Sequence, residues 1–213
     1  MHVFFTNPQV ILPLLGEHVG MTALALAIAS GIALPLGWLL FYHRRLAGPV
    51  LGVLGILYTI PSIALIIFLI PFFGLNARSV IVALVVYCQI ILVRNVLAGL
   101  DSIDPAILEA ARGMGMNSWQ IAWRVQLPLA LPVILAGMRI AGVVAVAIAT
   151  VGAKFGAGGL GTLLFDGIAQ AGRTDKILTG GLLVGVLAFL LNRALLALEH
   201  RFTPQIQAPR RPA

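Results

Sequence analysis

The residues able to do acid–base, nucleophilic or metal chemistry are few and scattered. The chain has 213 residues, of which seven are Asp or Glu, four are His and one is Cys. Glu17, Asp101, Asp104, Glu109, Asp166, Asp175 and Glu199 fall in connecting segments or at the ends of apolar runs. His2, His18, His43 and His200 are spread over loops and chain ends. A catalytic centre or metal site needs several such groups converging on one point. No such cluster is legible, so a membrane-embedded enzyme is disfavoured. Cys88 stands alone, which excludes an internal disulfide and a thiolate metal site. In the run ALVVYCQIIL it reads as a small packing residue.

One segment mimics a cofactor site. GAGGLG, residues 156–161, fits G-x-G-x-x-G, with Asp175 nineteen residues past the first glycine. A dinucleotide site needs a strand before that turn and a helix after it in a βαβ unit. Here an apolar span precedes it, so the glycines read as a tight re-entry before a short helix. Leu160, Leu163, Leu164 and Ile168 follow helical spacing there. The chain carries no G-x-x-x-x-G-K-[ST] motif. If nucleotide hydrolysis drives its work, another chain must bind the ATP and Mg²⁺.

The densest polar cluster is EAARGMGMNSWQIAWRVQLP, from Glu109 to Pro128. Asp104 is placed to cap a helix with Pro105 in its first position. Ala110 and Ala111 are strong helix formers without bulk. Gly113 and Gly115 supply the stop. Asn117 can cap a second helix, with Gln120 in the capping-box position, and Leu127–Pro128 is expected to end it before a membrane span. The segment thus reads as a helix–glycine turn–helix whose small alanine face suits docking into another protein's groove.

The elements that must position this island are membrane spans. The chain is 60% hydrophobic and 10% charged, with mean hydropathy +1.04. A soluble domain is typically about 25% charged. The net charge of +7 gathers at the ends of apolar runs and not on a basic–aromatic face, so no nucleic-acid partner is expected. Five runs suffice to cross a bilayer, near residues 19–41, 50–73, 78–98, 129–151 and 178–198. The stretch before Glu17, broken by Pro8 and Pro13, is expected to lie at the interface. Pro35, Pro61 and Pro71 are expected to bend or end helices. Gly16/Gly20, Gly48/Gly52 and Gly181/Gly185 have the spacing of close helix contacts. The fold class is all-α and polytopic, with one transmembrane domain over residues 1–213.

Orientation follows from charge. Arg44 and Arg45, then Arg112 and Arg124, then Arg201, Arg210 and Arg211 fall on one side of a five-span chain. The positive-inside rule puts the N-terminus outside and the C-terminus in the cytoplasm. The segment 101–128 is then cytoplasmic and 152–177 extracytoplasmic. The spans lack Asp and Glu in their cores, which argues against an ion-coupled carrier acting alone. One intramembrane charge stands out, Arg139, facing a polar path or snorkelling to the interface. Gln89 and Asn95 line a path or bond neighbouring helices. Tyr58 and Tyr87 lie near candidate pathways but are too far apart in sequence to propose a cage.

Glu109-Ala110-Ala111, three residues, Gly115, nine residues, Val125, one residue, Leu127-Pro128 resembles the EAA loop of binding-protein-dependent ABC importer permeases. Val125 stands where that pattern usually has isoleucine. TIPSIALIIFLIPFFG (Thr59–Gly74), LEAARGMGM (Leu108–Met116) and GAGGLG resemble the osmoprotectant branch, which imports glycine betaine, carnitine or choline. The methionine importers share GAGGLG and five spans but match less well around Ile60-Pro61-Ser62. The resemblance implies a type I importer permease fold and an inner-membrane location. It implies a second permease chain, identical or related, together with cytoplasmic ATPase subunits and an extracytoplasmic solute-binding protein. It implies a coupling role for Glu109, Ala110, Ala111 and Gly115, and no covalent chemistry in this chain.

Overall fold

The computed structural model describes residues 8–170 and 172–202. His2, Arg210 and Arg211 lie outside the described residues, which form helices joined by short turns.

α1 runs from Pro8 to Tyr42. The stretch before Glu17 is therefore not a separate interfacial segment but the opening of α1. Pro8 sits at the helix start, where a missing N–H costs nothing, and Pro13 removes one hydrogen bond from a helix long enough to carry the loss. α2 (Arg44–Thr59) and α3 (Ser62–Phe73) replace the single span expected over residues 50–73. Their axes differ by 95°. The cause is local: Pro61 drives the residue before it out of the helical region, and Ile60 has φ −64° and ψ 129°. Pro35 and Pro71 stay inside α1 and α3. α2 and α3 are about 24 and 18 Å long at 1.5 Å per residue, so neither alone crosses a bilayer core of about 30 Å.

α4 (Ala77–Asp101) is capped by Asn76, whose side chain accepts from the Arg78 amide at 2.8 Å. The short α5 (Pro105–Gly113) and α6 (Ser118–Ile121) follow. Leu127–Pro128 does not stop α6. A π-helical turn, Ala122–Gln126, carries it into α7 (Leu127–Gly152). The Leu127 amide bonds to the Ala122 carbonyl, five residues back. This wider turn accommodates Pro128, which has no N–H to offer, and helix continues from Ser118 to Phe155. The glycine loop and α8 (Gly161–Ala169) then lead to α9 (Thr174–Phe202).

α4 is the centre of the fold, with α1 and α7 against it. Ala83, Leu84, Cys88 and Val93 of α4 are fully buried against Ala25, Ala29 and Ala33 of α1 and Ala141, Ala145 and Ala149 of α7. Small residues set the spacing. A Cβ on Gly37 would stand 2.6 Å from Val96, and one on Gly99 would stand 2.9 Å from the Ala130 carbonyl. The expected pairs Gly16/Gly20 and Gly48/Gly52 face open space instead, as does Gly185.

These contacts fix the threading. Ala29 meets Gln89 and Gly37 meets Val96, so α1 and α4 run parallel. The bent pair α2–α3 must therefore return along the bundle from the end of α1 to the start of α4. Gly99 against Ala130 and Val80 against Gly152 make α7 antiparallel to α4. Gly142 against Leu191 and Arg139 beside Glu199 make α9 antiparallel to α7. Among the described residues four helices are long and apolar enough to cross a membrane, five spans with the bent pair taken as one, and Pro8 and Phe202 lie at opposite ends of the bundle.

A helix–turn–helix joined to a span, and a broken span beside a tyrosine pair

The polar island folds as two capped helices. The Ala106 amide donates to Asp104 Oδ1 at 2.9 Å, which satisfies one orphan donor at the start of α5. The chain leaves α5 through Gly115, whose φ is 80°. The Met116 amide reaches back to the Ala111 carbonyl and the Gly115 amide to that of Arg112, a Schellman closure. Asn117 and Gln120 form the full capping box, each side chain accepting from the other's backbone amide at 2.9 Å. The loop is thus held by its own hydrogen bonds.

Glu109, Ala110 and Gly115 are exposed, whereas Ala111 is buried. The two alanines therefore split: one is presented and one packs inward. Val125 and Leu127 are half-buried, and Pro128 is exposed. Beside Glu109 stands an apolar surface that a solvated loop would not keep. Met114 is 76% exposed and Trp119 71%, and the Trp119 and Trp123 rings pack 5.3 Å apart.

Two contacts tie this loop to the bundle. Tyr42, at the end of α1, donates its hydroxyl to Gln126 Oε1 at 2.9 Å, inside the π turn. Arg44 pairs with Asp101 at the end of α4, with its guanidinium 4.6 Å from the Phe41 ring. The sequence carries no local signal for either. The partners are 84 and 57 residues apart, and the packing of α1, α4 and α7 brings them together.

The candidate pathway residues divide. Tyr58 and Tyr87 meet edge to face, with centroids 5.6 Å apart. The Tyr87 hydroxyl donates to the Ile60 carbonyl, at the break between α2 and α3. Tyr87 is buried and Tyr58 exposed. Gln89 is buried and donates to the Ala29 carbonyl at 3.2 Å. Asn95 donates to the Ile91 carbonyl at 2.8 Å and packs under Gly137. Arg139 lies 3.3 Å from Glu199 in a partly buried ion pair, and α9 supplies the acid.

At the opposite end Gly156, Gly158 and Gly159 all have positive φ, which makes a turn open only to glycine. No strand precedes it; α7 and a 3₁₀ turn do. The Gly159 amide donates to Glu17 Oε2 at 2.8 Å, and a Cβ on Gly158 would collide with the same carboxylate. His18, fully buried, lies with Nε2 3.2 Å from the Val146 carbonyl. The turn thus closes over α1 at Glu17 and His18. Among the described residues no group of His, Cys, Asp and Glu is arranged to hold a metal.

Comparison with known proteins agrees with this architecture. The family described as binding-protein-dependent transport system inner membrane component matches residues 12–204. The chain is 38% identical to the carnitine transport permease protein OpuCB of Listeria monocytogenes, over 89% of this chain and 86% of that one. It is 38% identical to the osmoprotectant import permease protein OsmW of Salmonella typhimurium, over 96% and 97%. It is 35% identical to the choline transport system permease protein OpuBD of Bacillus subtilis, over 96% and 90%. Among solved structures, an inward-facing conformation of the MetNI methionine ABC transporter superposes with TM-score 0.83 at 26% identity, covering 92% of this chain and 97% of that chain. The chain belongs to the family of binding-protein-dependent transport system inner membrane components, the importer permeases to which its EAA-like loop points.

Proposed function

We propose that this chain is the permease subunit of an ATP-driven importer and forms the inner-membrane pathway for a quaternary-ammonium osmoprotectant such as glycine betaine, carnitine or choline. The observation that carries this reading is the exposed Glu109–Ala110 edge on a doubly capped helix–turn–helix, joined without a break to a membrane span. Such a loop has the self-sufficient rigidity needed to receive a push from outside. A cytoplasmic ATPase subunit seats on it, covering Met114, Trp119 and Trp123. A second permease chain, identical or related, completes the pathway. An extracytoplasmic binding protein delivers solute at the end where Glu17 meets the glycine loop. ATP and Mg²⁺ stay with the ATPase. Closure of the ATPase pair moves the loops and rocks the two permeases between inward- and outward-facing states as rigid bodies.

The solute follows the relatives. Those named for carnitine, osmoprotectants and choline share 35–38% identity with this chain, against 26% for the methionine system. The carboxylates on the long helices are engaged, Glu199 with Arg139 and Glu17 with the Gly159 amide, and leave none to neutralise a bare cation, so tight binding belongs to the delivering protein and contacts here are transient. ATP-dependent uptake in vesicles holding the full complex tests this. Betaine-type solutes should compete for uptake and methionine should not. Uptake driven by methionine, or a high-affinity betaine site on the isolated permease, overturns the assignment.

A further inference from the structure

Arg94 stands seven residues before the end of α4, so its Cα is about 10 Å inside the helix end. Its side chain is exposed, and no described residue gives it a hydrogen bond or an ion pair. Other span arginines are accounted for. Arg139 is matched by Glu199. Arg193 lies on α9, whose apolar stretch is 0% buried, beside the exposed Phe189 and Leu190, a position from which a long side chain can reach the interface. α4 is different, because 61% of its apolar stretch is buried, more than in any other candidate span. Helices close over it on most sides, and Arg94 sits on the narrow stripe left open.

Ala98 and Arg94 are its exposed positions and Ile91 is half-buried; the buried Tyr87 continues the same face, in steps of four, three and four residues from Tyr87 to Ala98. At its upper end Tyr87 holds the broken backbone at Ile60 and carries the exposed Tyr58 ring against it. Helical side chains lean toward the N-terminus of their helix, so Arg94 leans toward the tyrosine pair. A guanidinium set inside a span with no acid beside it needs water or a passing anion. Broken spans are where transporters expose backbone and aromatic groups to solute.

We propose that Arg94 is a solute-contacting residue of the pathway that takes the carboxylate of a zwitterionic quaternary-ammonium compound, while the Tyr58 ring takes its trimethylammonium group. The proposal rests on the importer reading above and deepens it. A guanidinium and a carboxylate make a charge-assisted hydrogen bond, and an aromatic face attracts the cation. The pair therefore favours solutes carrying both charges. Choline, which has no carboxylate, gains nothing from Arg94 and is repelled by it.

The test compares glycine betaine with choline in vesicles holding the full complex. Arg94→Gln should lower betaine uptake about tenfold, the size of one charge-assisted hydrogen bond, while choline uptake is unchanged or rises. Arg94→Lys should recover part of the betaine uptake. In a second arm, Arg94→Cys in a Cys88→Ala background should react with a charged, membrane-impermeant thiol reagent, and betaine should slow the reaction. An equal loss of both solutes in Arg94→Gln, a wild type that moves choline but not betaine, or a cysteine at 94 that never reacts overturns the proposal. A wild-type complex that takes up neither solute with ATP defeats the importer reading itself. The labelling arm still reports whether the Arg94 face is wet.

Discussion

At Gly115 a φ of 80° closes the turn between α5 and α6, and a Cβ there would meet no neighbour within 4 Å. A side chain at this position is opposed by the backbone and not by crowding, at a cost of about 1–2 kcal/mol. That cost falls on the loop alone, because the Schellman closure and the capping box lie outside the bundle's core. Gly115→Val should therefore insert in the membrane at normal levels yet lose association with the ATPase, or lose its stimulation by loaded binding protein. Co-purification and ATPase rates of the assembled complex measure both, and full transport by this variant would remove the coupling role. Arg139 shows a different residue-scale logic. An arginine inside an apolar helix suggests either a pathway or snorkelling. The structure adds an acid from another helix, and pairing offsets much of the desolvation that burial imposes on each charge.

At the scale of elements, the π turn is the joint between loop and span. It presents Gln126 inward, where the side chain accepts from Tyr42 at the end of α1. A push on α5–α6 thus reaches two spans at once: α7 through the continuous backbone and α1 through this hydrogen bond. Gln126→Leu removes the acceptor while keeping similar bulk. The assembled complex should keep basal ATP hydrolysis but move fewer solute molecules per ATP, read by measuring both in the same vesicles. An unchanged ratio would place the transmission elsewhere. What could be read beforehand follows the range of each interaction. The caps at Asp104 and Asn117 were legible because their hydrogen bonds close within two or three residues. The long spans were legible because a bilayer imposes length and hydropathy. The π turn was not, since Leu127–Pro128 reads locally as a stop, and an i to i−5 bond is needed to see why helix continues. The bend at Pro61 was signalled by the proline, but its 95° angle depends on α4 and the Tyr87 hydroxyl. Tyr58 and Tyr87, 29 residues apart, become a pair only through that bend.

For the molecule as a whole, the threading fixes which charged residues share an end of the bundle. Because α1 and α4 run parallel, the bent pair returns along the bundle, and Pro8 and Phe202 lie at opposite ends. The end holding Tyr42, Asp101, the α5–α6 loop and Phe202 also gathers Arg44, Arg45, Arg112, Arg124 and Arg201. The other end holds Arg78, Lys154, Arg173 and Lys176, two of which are engaged locally: Arg173 with Asp175, and Lys176 with Gln170. Arg44 is paired with Asp101, but Arg45, Arg112, Arg124 and Arg201 leave more basic charge beside the loop than at the other end, and by the positive-inside rule we propose that this end faces the cytoplasm. A re-entrant α2–α3 would reverse the sidedness of everything from α4 onward, so topology tests the packing directly. Leu46–Pro49 lies inside α2, where a bulky tag would break the helix, so single cysteines are the better probe. In a Cys88→Ala background, cysteines at Arg45 and Arg112 should react with an impermeant thiol reagent only from the cytoplasmic face. Cysteines at Asn76 and Gly172 should react only from outside. Asn76 is decisive: it follows the bent pair directly, and labelling there from the cytoplasm would mean that α2–α3 dips into the membrane and returns.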